Sequence, residues 1–267
     1  MKRLLDVNGI TKVFGGGTVN EKTALSGVNL IMNEGDFVTV IGNNGAGKST
    51  LLNCIAGVFP VDAGSIVLDG EDITKQPEHK RARCIGRVFQ DPLKGTAFDM
   101  TIEQNLAIAY YKNKPRGLQP GITKKDRELF REKLSVLGMG LEDRMTEKVK
   151  LLSGGQRQSL TLLMASIANP KLLLLDEHTA ALDPATAEKV MEITERIVDR
   201  NNLTTLMITH NLNSALRTGT RTIMMDSGNI ILDVSGEERA KMTLDDLLNM
   251  YSLKKKEAFD NDRMLLS

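Results

Sequence analysis

The chain has 267 residues, with 35 Lys and Arg against 34 Asp and Glu, a formal net charge of +1. That balance argues against a global field for nucleic acid, and the absence of Trp argues against stacking platforms for single strands. Cys54 and Cys84 are the only cysteines, which argues against a disulfide scaffold and suits a reducing cytosol. Met1-Lys-Arg-Leu-Leu-Asp breaks its apolar run too early for a signal peptide, and no stretch approaches the roughly 20 apolar residues of a membrane helix. The expectation is a soluble intracellular protein, one large domain or one with an insertion, that reaches a membrane only through a partner.

Taken in order, Leu4 to Phe14 reads as a first strand, Gly15-Gly16-Gly17 breaks it, and Ala24 to Met32 reads as a second strand pairing back. Asp36 to Ile41 is a buried strand, and Leu51 to Ala56 a helix. Ser65 to Leu68 is a short strand closed by Asp69-Gly70; Pro77 suits the first residue of a short helix; Ile85 to Phe89 returns as a strand ending at Gln90. From Asp91 to about Asn169 the pattern is helix and loop. Thr101 with Gln104, Thr123 with Asp126 and Ser153 with Gln156 each mark a helix start, with ends expected near Tyr111, Leu137 and Ala168. Lys112 to Ile122 is a loop. Strands resume at Lys171 to Leu175, whose continuous apolar run suits cover on both faces. Asp183 and Pro184 open a helix to about Arg200, Thr204 to Thr209 is a buried strand, and Arg221 to Met225 with Asn229 to Val234 is an edge hairpin. A short helix near Thr243 to Tyr251 precedes a charged tail with Lys254-Lys255-Lys256, best read as a solvated end.

Three motifs carry chemistry. The first is Gly42-Asn43-Asn44-Gly45-Ala46-Gly47-Lys48-Ser49-Thr50, between a strand and a helix. Its glycines let backbone N–H groups curl around an anion, Lys48 adds a point charge for the terminal phosphates, and the Ser49 hydroxyl can ligate Mg²⁺. The second is Leu172 to Asp176-Glu177. A buried strand ending in Asp176 places a carboxylate where it can hold Mg²⁺, and Glu177 can orient or deprotonate an attacking water. The third is Leu152-Ser153-Gly154-Gly155-Gln156, which exposes N–H groups at a helix N-terminus and makes a second anion surface. One nucleotide loop and two phosphate surfaces predict two copies packed head to tail, each nucleotide closed between one chain's Lys48 and the other's Ser153.

With these motifs the chain resembles an ATP-binding cassette (ABC) ATPase, the nucleotide-binding subunit of a membrane transporter, from about Leu4 to about Val234. The resemblance implies an α/β fold: a P-loop NTPase core with an antiparallel β subdomain and an inserted α-helical subdomain. Residues 1–90 and 170–235 form the core, 91–169 the helical signature subdomain, and 236–267 a C-terminal helix and charged tail. It implies ATP and Mg²⁺ as cofactors, with Ser49, Gln90 and Asp176 around the metal. Glu177, His210 and Gln90 take catalytic roles, and Phe14 stacks on adenine. Ser153, Gly154, Gly155, Gln156 and Asp183 act in trans from the second subunit. The implied partners are a homodimer or paired cassette, an integral-membrane permease reached through Phe89 to Asn105, and a substrate-binding lipoprotein, at the cytoplasmic face of the membrane and without nucleic acid. Glu-His-Thr-Ala-Ala-Leu-Asp resembles a bacterial subgroup encoded with a permease and a substrate-binding lipoprotein, which implies import with amino acids suggested as cargo, and the free-standing cassette favours an importer. Three positions depart from the family: Phe14 where Tyr is usual, His178 where Pro is common, and Ala180 where the D-loop commonly begins with Ser. The alternatives are a soluble ABC-type ATPase acting on nucleic acid or ribosomes, which lacks its coiled coil or second cassette here, and a non-hydrolysing regulator.

Overall fold

The structure is a computed structural model that describes residues 2–91, 93–113 and 120–253. It divides into two units, one formed by the chain up to Gln76 together with the chain from Leu206 onward, the other by Pro77–Thr205.

In the first unit β1 (Arg3–Phe14) pairs antiparallel with β2 (Lys22–Asn33), from Arg3 opposite Asn33 to Phe14 opposite Lys22. On its other side β1 pairs with β4 (Ala63–Leu68), and β5 (Glu71–Asp72) completes the order β2-β1-β4-β5. The second sheet of this unit centres on β3 (Phe37–Gly42), in which every residue from Phe37 to Ile41 is buried. Such a run needs cover on both faces. β9 (Arg221–Asp226) runs parallel beside it, placing Val38 opposite Arg221 and Gly42 opposite Met225. β10 (Asn229–Ser235) pairs antiparallel with β9, so the predicted hairpin forms but only β10 is an edge strand.

α1 (Lys48–Ala56) follows β3 directly. Toward the chain's end α7 (Leu212–Arg217) and a helix over 244–253 supply Ala215 and Leu247 to a cluster with Ile41, Met224, Leu232 and Val234, and α8 (Gly236–Lys241) lies between those helices in the chain. The sequence pattern did not announce α7 and α8, because six residues give under two turns of periodicity. α8 is held by a buried side chain: Arg239 donates to Thr222 Oγ1 at 2.9 Å and to the Ala215 carbonyl at 2.8 Å.

In the second unit β6 (Ile85–Val88) pairs parallel with β7 (Leu172–Asp176), with Ile85 opposite Leu172 and Val88 opposite Leu175. Leu172 to Leu175 are fully buried. The helices are α2 (Glu78–Arg81), α3 (Ile102–Tyr111), α4 (Lys124–Ser135), α5 (Gly154–Ser166) and α6 (Pro184–Asn201). All three capping boxes close as the spacing predicts. Pro77 differs: it is the extended N-cap of α2, with ψ 156°, and not its first helical residue. α5 stops at Ser166, and Asn169, three residues further on, turns left-handed at φ 49°, a conformation that Asn adopts more readily than most residues. β8 (Thr204–Ile208) then carries the chain into the first unit. Part of the predicted loop over Lys112 to Ile122, and the Lys254 to Lys256 tail, lie outside the described residues. Among the described residues no helix is long and apolar enough to cross a membrane.

Candidate nucleotide site

The phosphate loop belongs to the first unit and is shaped by its backbone. Gly42 leaves β3 at φ 143°, and a Cβ there would lie 2.1 Å from the Met225 carbonyl oxygen, so no other residue fits without moving β9. The loop folds back through Ala46 N–H to Asn43 O at 3.1 Å, and the β9–β10 turn is tied to it by Gly228 N–H to Ala46 O at 3.0 Å. Lys48 is buried, and its Nζ donates to Gly42 O at 2.8 Å and Asn43 O at 3.0 Å. That places an ammonium against the loop at the start of α1, whose N-cap, Gly47, has no side chain to cap it. Backbone N–H groups and the helix dipole make such an end favourable for an anion. Ser49 is exposed on the first turn of α1.

The sequence did not mark one neighbour of this loop. Tyr251, on the helix over 244–253, accepts a hydrogen bond from Asn43 Nδ2 at 2.6 Å and approaches Asp226 Oδ1 at 3.4 Å. A residue 208 positions away cannot be found by motif spacing. Phe14, at the end of β1, is half-buried; its ring meets Phe59 edge-on at 5.2 Å and has Lys12 Nζ 5.5 Å from its centroid. His210 is exposed just beyond β8, before α7, whose N-cap Asn211 accepts from Ser214 N–H.

The second unit holds the other predicted residues. Asp176 ends β7, and Arg87 Nη2 lies 3.9 Å from its Oδ2 while the guanidinium stacks on Phe89 at 4.5 Å. Burial pushes the Arg87 pKa down and the Asp176 carboxylate opposes that shift. Glu177 stands in the left-handed region, φ 46°, a conformation that costs a residue with a Cβ on the order of 1–3 kcal/mol and persists only when its surroundings hold it. Its carbonyl accepts from Ala180 N–H at 2.9 Å. The next side chain, His178, turns inward: it is 3% exposed, with Nε2 3.0 Å from Thr194 Oγ1 on α6. Burial pushes its pKa down to about 4, so the imidazole is neutral at physiological pH. Asp183 caps α6 by accepting from Thr186 N–H at 3.1 Å, and hydrogen bonds from the Thr186 side chain and then its backbone lower the Asp183 pKa. Gln90 is exposed just after β6.

The signature residues form the start of α5. Ser153 Oγ accepts from Gln156 N–H at 3.3 Å, and Gln156 Oε1 accepts from Ser153 N–H at 3.2 Å. The Ser153 oxygen caps the helix with a lone pair, so this bond leaves its proton to donate outward. Gly155 packs closely on α6: a Cβ there would stand 2.3 Å from Thr186 Cγ2, so Thr186 would have to turn away to admit one. Thus Phe14, Gly42 to Thr50 and His210 belong to one unit, and Gln90, Ser153 to Gln156, Asp176, Glu177 and Asp183 to the other.

A strand–loop–helix phosphate cradle on an α/β fold defines a P-loop nucleotide-binding protein. Residues 25–180 match the family described as ABC transporter. The chain is 43% identical over 248 residues to the tyrosine transport ATP-binding protein of Clostridioides difficile (strain R20291), covering 93% of this chain and 98% of that protein. It is 32% identical over 255 residues to the phosphonates import ATP-binding protein PhnC of Lactococcus lactis subsp. cremoris (strain SK11), with 91% and 98% covered. Among solved structures it resembles the dimeric post-hydrolysis state of the ATP-binding cassette MJ0796 bound to ADP and Pi. There the TM-score is 0.74 and the identity 29%, over 87% of this chain and 98% of that one. The chain belongs to the ABC transporter family: it is an ATP-binding subunit with a P-loop NTPase core, and its reaction is ATP hydrolysis.

Proposed function

We propose that this chain powers a bacterial importer as a dimer that closes around two MgATP at the cytoplasmic face of the membrane and passes that closure to an integral-membrane permease. The observation that carries the nucleotide half of this reading is Lys48, bonded to two loop carbonyls at the uncapped start of α1. The dimeric cassette MJ0796 supports the dimer, and the import relatives support the permease.

In this reading Lys48 and the N–H groups of Gly42 to Thr50 hold the phosphates, Phe14 stacks on adenine, and the partner chain's signature segment, with Asp183, closes over the γ-phosphate. Glu177 takes the proton of the attacking water, and His210 steadies the γ-phosphate. Gln90 and the segment from Phe89 to Asn105 relay closure to the permease. Among the described residues no group of three His, Cys, Asp or Glu could hold a metal by itself. A hydroxyl, an amide and one carboxylate, Ser49, Gln90 and Asp176, suit Mg²⁺, which binds through oxygen and shares its shell with water and phosphate. Once bound, Mg²⁺ would neutralise charge on the phosphates.

The tyrosine transport relative supports an amino acid as cargo; a substrate-binding lipoprotein that delivers it is this reading's own expectation. Three measurements test the reading. Lys48→Ala is expected to weaken ATP binding, and unchanged affinity would remove the loop assignment. Glu177→Gln with saturating MgATP should reach dimer mass by light scattering; a monomer, alone and with its permease, would remove the sandwich. Uptake of labelled tyrosine should fall when the gene is deleted, and unchanged uptake would remove that cargo.

A further inference from the structure

α6 buries Val190, Ile193, Thr194, Ile197 and Val198, positions that recur at i, i+3, i+4, i+7 and i+8 and form one apolar stripe. Thr194 is the polar member of that stripe and is fully buried. Its hydroxyl proton goes to the Val190 carbonyl at 2.8 Å, within its own helix. A hydroxyl has one proton to give, so toward His178, 3.0 Å away, Thr194 Oγ1 can only accept. With the hydroxyl proton donated to Val190, the matching imidazole tautomer is the one in which Nε2 carries the proton and donates it to Thr194.

This bond has a position as well as a partner. His178 directly follows Glu177, whose backbone is left-handed, and the turn closes at Ala180 N–H to Glu177 O. The same segment runs on through Leu182 N–H to Thr179 O at 3.2 Å and ends at Asp183, the N-cap of α6. The turn that bears Glu177 is therefore joined to α6 covalently at Asp183 and non-covalently at Thr194, nearly three helical turns further along.

We propose that His178 is a positioning residue for hydrolysis: its Nε2–H bond to Thr194 fastens the Glu177 turn to α6 and so sets where the carboxylate stands. The proposal rests on the reading of Glu177 as the group that activates water.

The test uses the full chain and saturation kinetics of MgATP hydrolysis for wild type, Glu177→Gln, His178→Met, His178→Gln, Thr194→Val and the His178→Met/Thr194→Val double variant. Displacing a reacting group by about 1 Å costs up to ~100-fold, so His178→Met and Thr194→Val are each expected to lower kcat at least about tenfold, with KM for MgATP within about twofold. Gln carries a donor at the place of Nε2, and His178→Gln should recover most of kcat. The double variant should be no slower than the slower single, because both remove one bond. Backbone hydrogen exchange reads the turn without turnover, and the Ala180 amide should exchange faster in His178→Met and Thr194→Val. Wild-type kcat in His178→Met beside a dead Glu177→Gln would overturn the proposal and leave the role of Glu177 standing. A His178→Gln as slow as His178→Met, or unchanged Ala180 protection, would overturn it too. Wild-type turnover in Glu177→Gln would remove both. Should His178→Met not fold, Thr194→Val, which keeps the side-chain shape, decides the matter on the same readouts.

Discussion

The loop at Gly42 to Thr50 and the turn at Asp176 to Asp183 both follow a buried parallel strand, yet they are held in different ways. The loop is shaped by main chain: glycine backbones, carbonyls that accept from Lys48, and a bond from Gly228 N–H. The turn is held by a side-chain pair in the interior, His178 with Thr194, sixteen residues apart. Main-chain shaping demands particular residue types at fixed spacing and leaves a motif; side-chain fastening can use any donor and acceptor that meet, and leaves none.

Four substitutions press on that contrast, in order of decreasing expected effect. Glu177→Gln removes the proposed base and should lower turnover on the order of 10²–10⁴-fold in a phosphate-release assay while ATP binding persists. Gly42→Ala drives a methyl into the Met225 carbonyl and should destabilise the chain by about 3 kcal/mol or more, read as a lower urea midpoint at unchanged slope. If it is tolerated, the loop is not main-chain determined and the contrast collapses. Lys48→Ala keeps the backbone and removes the charge, which at about 1.5–3 kcal/mol for a charged hydrogen bond predicts roughly ten- to a hundredfold weaker ATP binding by calorimetry. Tyr251→Phe removes one partner of Asn43, worth about 1 kcal/mol, and should weaken ATP binding only a few-fold. An effect as large as that of Lys48→Ala would show that the loop, too, depends on a side chain from elsewhere in the chain.

The same contrast explains what could be read in advance. Strands with continuous burial, β3 and β7, and helices opened by capping boxes, α3, α4 and α5, were legible because each signal sits within a few residues. Pro77 misled because its fixed φ serves an N-cap as well as a first helical residue, and the extended ψ decides between them. The signature segment and the phosphate loop announced themselves by glycine spacing. His178 could be seen only as a departure from the family; its burial and its Thr194 partner belong to the packing of α6, which no spacing encodes. Arg87 beside Asp176 and Tyr251 beside Asn43 escaped for the same reason.

The bond between Asn43 and Tyr251 spans 208 residues, and the strand that seats Gly42 pairs with residues 221–225. A chain grows from its N-terminus, and a contact cannot form before both of its members exist. The phosphate loop is among the first parts of this protein to be synthesised and among the last to reach its final form. A ribosome-bound chain that has not yet passed residue 226 carries the whole nucleotide motif without the strand beside Gly42. Stable nucleotide binding therefore waits for β9, and ATP protection of nascent chains from proteolysis should begin only after residue 226 has cleared the exit tunnel.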